Sequence, residues 1–217
     1  MITLRLEAPD PERAPLSILV LGAHPDDIEI AAGGMLLSLA ERHPGLHVRY
    51  VLLSGTPDRQ RDARTAARAF TPGADLRAEL HDLPDGRFPA VWGQVKEILE
   101  GVARSFRPDI ILAPSAGDAH QDHRTVGELV ATAFRDQVYL AYEIPKWDGD
   151  MSRPNTYFPL TEEVARWKAE LLDKCYPSQR DRDWWGEETF LALARIRGME
   201  CRARYAEAFT CSKLIVS

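Results

Sequence analysis

Residues 23–29 read AHPDDIE and follow directly on the apolar run Ser17 to Gly22. One imidazole and two adjacent carboxylates therefore stand at the end of a strand expected to be buried. Three ionisable groups are costly there unless they bind or react with something. His24 and Asp27 are three apart where a loop turns into a helix, so both can address one ion. Imidazole nitrogen and carboxylate oxygen suit zinc or another divalent first-row metal. Asp26 lies between them and aims elsewhere while staying close, which is the place for a general base. Pro25 fixes φ and stiffens the turn. A helix N-cap would account for one Asp, but not for His-Pro-Asp-Asp with Glu29 after it.

A second cluster, His120-Gln121-Asp122-His123-Arg124, follows the apolar run Ile110 to Ala113. Its two histidines are also three apart, and either one completes a His-Asp-His set with His24 and Asp27. Three protein ligands leave a position for water, the pattern of catalytic rather than structural zinc. Zinc lowers the pKa of that water to about 7. The remaining histidine would face a substrate carbonyl oxygen, stabilising an oxyanion or protonating a leaving amine, with Asp122 to orient it. His43, His47 and His81 receive no role.

The elements that must hold these clusters alternate between strand and helix patterns. Strands are expected at 17–23, 47–53, 76–82, 109–113 and 137–143, and helices at 28–42, 59–70, 90–105, 123–135, 161–174 and 187–199. Such βαβ alternation argues a single α/β domain, Rossmann-like, with a mostly parallel sheet and helices on both faces. Ligands bind such sheets outside the carboxyl ends of the strands, where both clusters fall. No GxGxxG follows the first strand, which removes the main support for dinucleotide binding. Gly33-Gly34 inside the first helix costs ~1 kcal/mol per glycine against Ala and marks close packing or a helix irregularity near the site. Residues 1–15 read as an arm or loop. The Pro-, Gly- and Asp-rich segment 144–160 reads as a substrate-facing loop or lid or as a plain surface loop, with Trp147 as a solvent-shielded loop anchor or a sugar-stacking side chain.

Composition narrows the function classes. The chain has 217 residues and a formal net charge of −6, which disfavours nucleic acid as a general partner. The basic run Arg59 to Arg68 reads as a solvated helix face. No stretch approaches a membrane span and no secretory h-region opens the chain, so a cytoplasmic protein is expected. Cys175, Cys201 and Cys211 form no CxxC pair and read as free thiols.

AHPDDIE after the first strand, with HQDHR after the fourth, resembles the LmbE/PIG-L superfamily of zinc-dependent N-deacetylases. The resemblance implies an LmbE-like fold over the whole chain, 1–217, and one Zn2+ held by His24, Asp27 and His123. It implies Asp26 as general base, His120 as electrostatic stabiliser or general acid, and Asp122 as the partner of His120. Arg59 falls in an RxxE-like element with Asp62 in place of Glu, and Asp85-Gly86 resembles a turn whose carboxylate contacts sugar hydroxyls. Arg59, Asp85 and Trp147 are thus the expected substrate contacts. Tyr176-Pro177-Ser178-Gln179 resembles a late SQ element, and Arg197-Gly198 with Tyr205 to Phe209 the tail of the bacterial thiol-pathway branch. The run 142–150, YEIPKWDGD, matches no element of stated role.

The expected activity is metal-dependent removal of an N-acetyl group from an amino sugar or its conjugate. Two other classes fit the same ligands: a 2-His-1-carboxylate Fe(II) enzyme, and a non-catalytic ligand-binding α/β domain with a structural metal. The α/β pattern disfavours the first and the surplus Asp26 the second. The expected partner is a small N-acetylated sugar conjugate. Family members often assemble, which extends to a homo-oligomer here, with Trp184-Trp185 expected at an interface or the pocket rim.

Overall fold

The computed structural model describes residues 3–6 and 15–215. Four runs rich in Val, Ile, Leu and Tyr and one more polar run, β3, form parallel strands: β1 (Ser17–Gly22), β2 (His47–Ser54), β3 (Asp75–Leu83), β4 (Ile110–Pro114) and β5 (Val138–Tyr142). The helices are α1 (Asp27–Arg42), α2 (Pro57–Phe70), α3 (Trp92–Ser105, after a 3-10 turn at Phe88–Val91), α4 (Gln121–Ala133), α5 (Glu162–Cys175) and α6 (Glu187–Cys201). Two further strands, β6 (Thr156–Leu160) and β7 (Tyr205–Cys211), complete a seven-stranded sheet of order β3-β2-β1-β4-β5-β7-β6.

Alternation along the strands separates two cores. Ile18 and Val20 of β1 face one side, with Met35 of α1, Phe70 of α2 and Leu172 of α5. Leu19 and Leu21 face the other, with Leu99 of α3 and Val130 of α4. Helices thus cover both faces, as a sheet apolar on both sides requires. β1 and β4 are neighbours, and strand order reverses between them. That is the topological switch point, whose crevice lies beyond the strand carboxyl ends.

Three expectations need correction. Segment 144–160 is not all loop, because 156–160 is β6, antiparallel to β7. Pro159 hides this strand, since proline tolerates only an edge position, and β6 is the edge. Helices α2 and α4 begin two residues before their expected starts, at Pro57 and Gln121. Trp185 is buried against Tyr176 and Phe190 rather than exposed. The expected N-terminal arm falls largely on residues 7–14, outside the described residues.

Helix α1 carries an unusual crossing. Glu207 of β7 accepts hydrogen bonds from the backbone N–H of Gly34 (2.7 Å) and Met35 (2.7 Å). Lys168 of α5 donates to the carbonyl of Ile30 (2.7 Å) and to Glu207 (2.6 Å). Both ends of one helical rung, Ile30 C=O and Gly34 N–H, are thus engaged from outside. A Cβ on Gly34 would lie 2.6 Å from Leu160 Cδ1, which explains the glycine there.

Candidate active site

The loop between β1 and α1 presents the first cluster. Asp26 sits at φ 95°, ψ −24° as the residue before α1, a left-handed conformation that is strained for a residue with a Cβ. This turn sends the side chains of Asp26 and Asp27 different ways. Asp27 Oδ2 accepts from the His24 backbone N–H (2.8 Å) and faces His123 Nε2 (3.3 Å). Asp26 Oδ2 accepts from Arg59 Nη2 (2.9 Å), and the same nitrogen donates to Pro25 O (2.6 Å).

The loop after β4 presents the second cluster. Gly127 lets α4 approach this loop, since a Cβ there would meet Ala116 N at 2.5 Å. His120 caps α4, its Nδ1 accepting from Asp122 N (3.3 Å).

Three donor atoms converge. His24 Nδ1 lies 3.2 Å from His123 Nε2 and 3.6 Å from Asp27 Oδ2. Behind each ring stands a carboxylate: Asp122 Oδ2 is 3.1 Å from His24 Nε2, and Asp118 Oδ2 is 3.0 Å from His123 Nδ1. A carboxylate behind one ring nitrogen keeps the proton there and leaves the other lone pair for a metal. The residues present therefore fit a divalent cation, with His24 Nδ1, His123 Nε2 and Asp27 Oδ2 facing one another. The His120 ring lies 4.8 Å, centre to centre, from each of the other two imidazoles. His24, His120 and His123 can also be grouped as donors, as can His24, Asp85 and Asp122. In the second grouping, however, His24 would bind through the nitrogen that already faces Asp122.

Charge balance shifts the proton affinities. Burial opposes the protonated form of His24, but Asp122, Asp27 and Asp85 outweigh it and raise its pKa well above the ordinary value. His123 is desolvated too, yet Asp27 and Asp118 push it up to about 9. His120 goes down, through burial and the repulsion of His123 and His24. Asp27 stays well below the carboxylate range because His123 and His24 overcome its burial. Burial pushes Asp26 up to about 7 despite Arg59.

Two expected placements differ from the structure. Asp122 does not face the His120 ring: its carboxylate accepts from Gly86 N (2.7 Å) and Phe88 N (2.9 Å) and stands behind His24. Trp147 is 66 % exposed, donates Nε1 to Asp183 Oδ1 (3.0 Å) and stacks edge-on against Trp184. No contact joins it to the imidazole cluster. Arg59 is present through Asp26, and the exposed Asp85 through His24 Nε2 (3.0 Å). Sequence reasoning missed Asp118, whose only signal is its place two residues before His120. It also missed Lys146, which lies 3.1 Å from Asp118. His81 and His47 pair with Glu79 and Asp75 of β3, outside the cluster. Among the described residues, no helix is long and apolar enough to cross a membrane.

A Rossmann-like α/β domain with acid and imidazole groups converging at its switch point defines a class of α/β domains with a candidate metal site rather than one reaction. The family follows from comparison. Residues 19–134 match the family model PIG-L, GlcNAc-PI de-N-acetylase. The chain is also 30 % identical over 176 residues to the uncharacterized deacetylase YaiS of Escherichia coli (strain K12), covering 72 % of this chain and 89 % of that one. The chain belongs to the PIG-L/LmbE family of deacetylases. The fold is shared with N,N'-diacetylchitobiose deacetylase from Pyrococcus horikoshii (TM-score 0.72, 21 % identity, 93 % of this chain, 85 % of that one). It is shared equally with GalB, the 4-carboxy-2-hydroxymuconate hydratase of Pseudomonas putida KT2440 (TM-score 0.71, 20 % identity, 93 % and 98 %). The fold therefore does not choose the chemistry.

Proposed function

We propose that this protein is a metal-dependent amide hydrolase that removes the N-acetyl group from an amino sugar or its conjugate. One observation carries the reading: Asp26 is a buried carboxylate beside the three-donor set and outside it, with a pKa of about 7. A group poised near neutral pH is suited to take a proton and return it.

His24, Asp27 and His123 would hold the cation, zinc by donor type. When bound, zinc supplies Lewis acidity, which polarises an amide carbonyl and makes water acidic enough to attack near neutral pH. Asp26 accepts the proton of the attacking water. Arg59 orients Asp26 by holding Oδ2, which leaves Oδ1 free to act. His120, the least basic of the three imidazoles by its surroundings, faces the carbonyl oxygen and stabilises the developing oxyanion. Asp26 then protonates the departing amine. Asp122 acts through His24 rather than through His120. Arg59 and Asp85 supply contacts to a hydroxyl-rich substrate.

The family membership supports an N-acetylated amino sugar as substrate. The test is release of amine and acetate by zinc-loaded protein across free N-acetylglucosamine, its nucleotide-linked form, N,N'-diacetylchitobiose and glycosides of malate and inositol. Wild type is run beside Asp26→Ala and beside chelated protein. Turnover of one substrate, lost in both controls, is expected. Metal bound with no acetate released from any substrate refutes the deacetylase reading.

A further inference from the structure

The run 142–150 matches no element of stated role, and the structure ties it to the site. It leaves β5 and meets the loop that leads into α4, at Asp118 and Ala119. At its centre Lys146 Nζ donates to Asp118 Oδ2 (3.1 Å) and to Asp150 Oδ1 and Oδ2 (both 2.8 Å). Asp150 Oδ2 also accepts from the backbone N–H of Ala119 (2.6 Å). The three side chains are 11 %, 4 % and 16 % exposed for Lys146, Asp118 and Asp150, so the cluster is largely desolvated and its charges are weakly screened.

Asp118 is the point where this cluster meets the site. Its Oδ2 stands behind His123 Nδ1 (3.0 Å), and its Oδ1 accepts from the backbone N–H of His120 (2.7 Å). One carboxylate thus sets both the ring of His123 and the entry of His120. A carboxylate that faces an imidazole and a backbone amide can still rotate. A third, cationic partner that touches both of its oxygens holds it in one plane. The arrangement also reaches outward. The residue after Lys146 is Trp147, whose Nε1 bonds Asp183 and whose ring lies under Arg182. The segment of Asp183 continues from Ser178, which faces Arg59, the partner of Asp26.

We propose that Lys146 is a positioning residue: by clamping Asp118, it fixes His123 as a metal donor and His120 as a substrate-facing group, and it fastens the 143–152 loop to the site. The inference rests on His123 being a ligand. Loss of a partner behind a metal-ligating histidine typically costs 10- to 100-fold in metal affinity. Lys146 acts one residue further out, so the lower end of that range applies.

The test is a double-mutant cycle on the full chain, read as the Kd for Co(II) and Zn(II) by chelator competition and as the Co(II) absorption spectrum. Lys146→Gln is expected to weaken binding about tenfold and to shift the Co(II) bands. In an Asp118→Asn background the same substitution should change Kd less than about twofold, because the route to His123 is already cut. Lys146→Arg, which keeps the charge, should stay within about threefold of wild type. Equal weakening in both backgrounds, or an unchanged Kd and spectrum in Lys146→Gln, overturns the proposal. Wild type that binds no metal overturns the metal reading as well, which separates the two failures.

Discussion

Glu29 is expected to make this protein less stable at neutral pH than at pH 5, and Glu29→Gln is expected to remove that loss. The residue lies in the first turn of α1 and is fully buried. Its Oε2 accepts from Tyr176 Oη (2.8 Å), while Oε1 has no partner among the described residues. Tyr50 lies close enough to stabilise the carboxylate, but its hydroxyl does not reach hydrogen-bonding geometry. Burial dominates and pushes the carboxyl from 4.5 up to about 7. Below pH 4.5 the group is protonated in both folded and unfolded chains and costs nothing. Between 4.5 and about 7 the unfolded chain has released its proton and the folded chain has not, so the unfolded state binds fewer protons and stability falls as pH rises. At about 1.4 kcal/mol per pH unit, the loss reaches about 3 kcal/mol above pH 7. Gln keeps the shape, accepts from Tyr176 and offers an N–H toward Tyr50. The variant should match wild type near pH 4.5 and exceed it by up to about 3 kcal/mol at pH 8. For a chain of this length that is about 6–12 °C in Tm. Thermal and urea unfolding of chelated protein from pH 4.5 to 8 measures it. Parallel curves for the two proteins, or a variant less stable at pH 8, would refute the argument.

Other consequences follow from the same contacts. Lys168→Met strands Glu207 against the amides of Gly34 and Met35, and should cost about 3–5 kcal/mol in urea unfolding. Adding Glu207→Leu should restore part of that, and no loss in the single variant would deny the crossing its role. Arg59→Met removes the cation that lowers Asp26, so the acid limb of kcat/KM should move to higher pH, and an unmoved limb would detach Arg59 from Asp26. Asp122→Asn should weaken metal binding 10- to 100-fold, since Asp122 stands behind His24. A substitution that altered turnover alone would return Asp122 to His120. Metal binding at pH 7 should expel protons from His24 and His123, whose pKa values are raised. Calorimetry in buffers of different ionisation enthalpy counts them, and a count near zero contradicts the proton placement.

The parallel half of the fold was legible because buried parallel strands are continuous apolar runs, as in Ser17–Gly22 and Ile110–Pro114. The meeting of the two clusters was legible for the same reason, since both follow strands that become neighbours. The antiparallel half was not. β6 pairs with β7 across 45 intervening residues or so, and contains a proline, so no local pattern announces it. The partners of the carboxylates were equally hidden. Asp122 was paired with His120 by adjacency, yet residues two apart on a helix face different sides, and the real neighbour, His24, is 98 positions away. Lys146 and Asp118 are separated by 28 positions and joined only by the return of the chain after β5.

Charge explains why so many acids crowd one crevice. Asp26, Asp27, Asp85, Asp118 and Asp122 meet there, while the fixed cations in contact with them are Arg59 and Lys146. Each of these two is committed to a single side. Arg59 holds Asp26, and Lys146 holds Asp118. The remaining carboxylates are balanced only by imidazoles, which therefore keep their protons more tightly than usual. A proton and a metal ion compete for the same lone pairs, so an acid excess arranged around two histidines favours whichever cation neutralises more charge per site. A divalent ion held as proposed by His24, Asp27 and His123 would do so, and Asp26 is the one buried carboxylate of the crevice held by arginine rather than by histidine. In the proposed chemistry that difference would keep Asp26 available for proton transfer, while Asp27 serves as a donor and Asp118 and Asp122 stand behind the two imidazole donors.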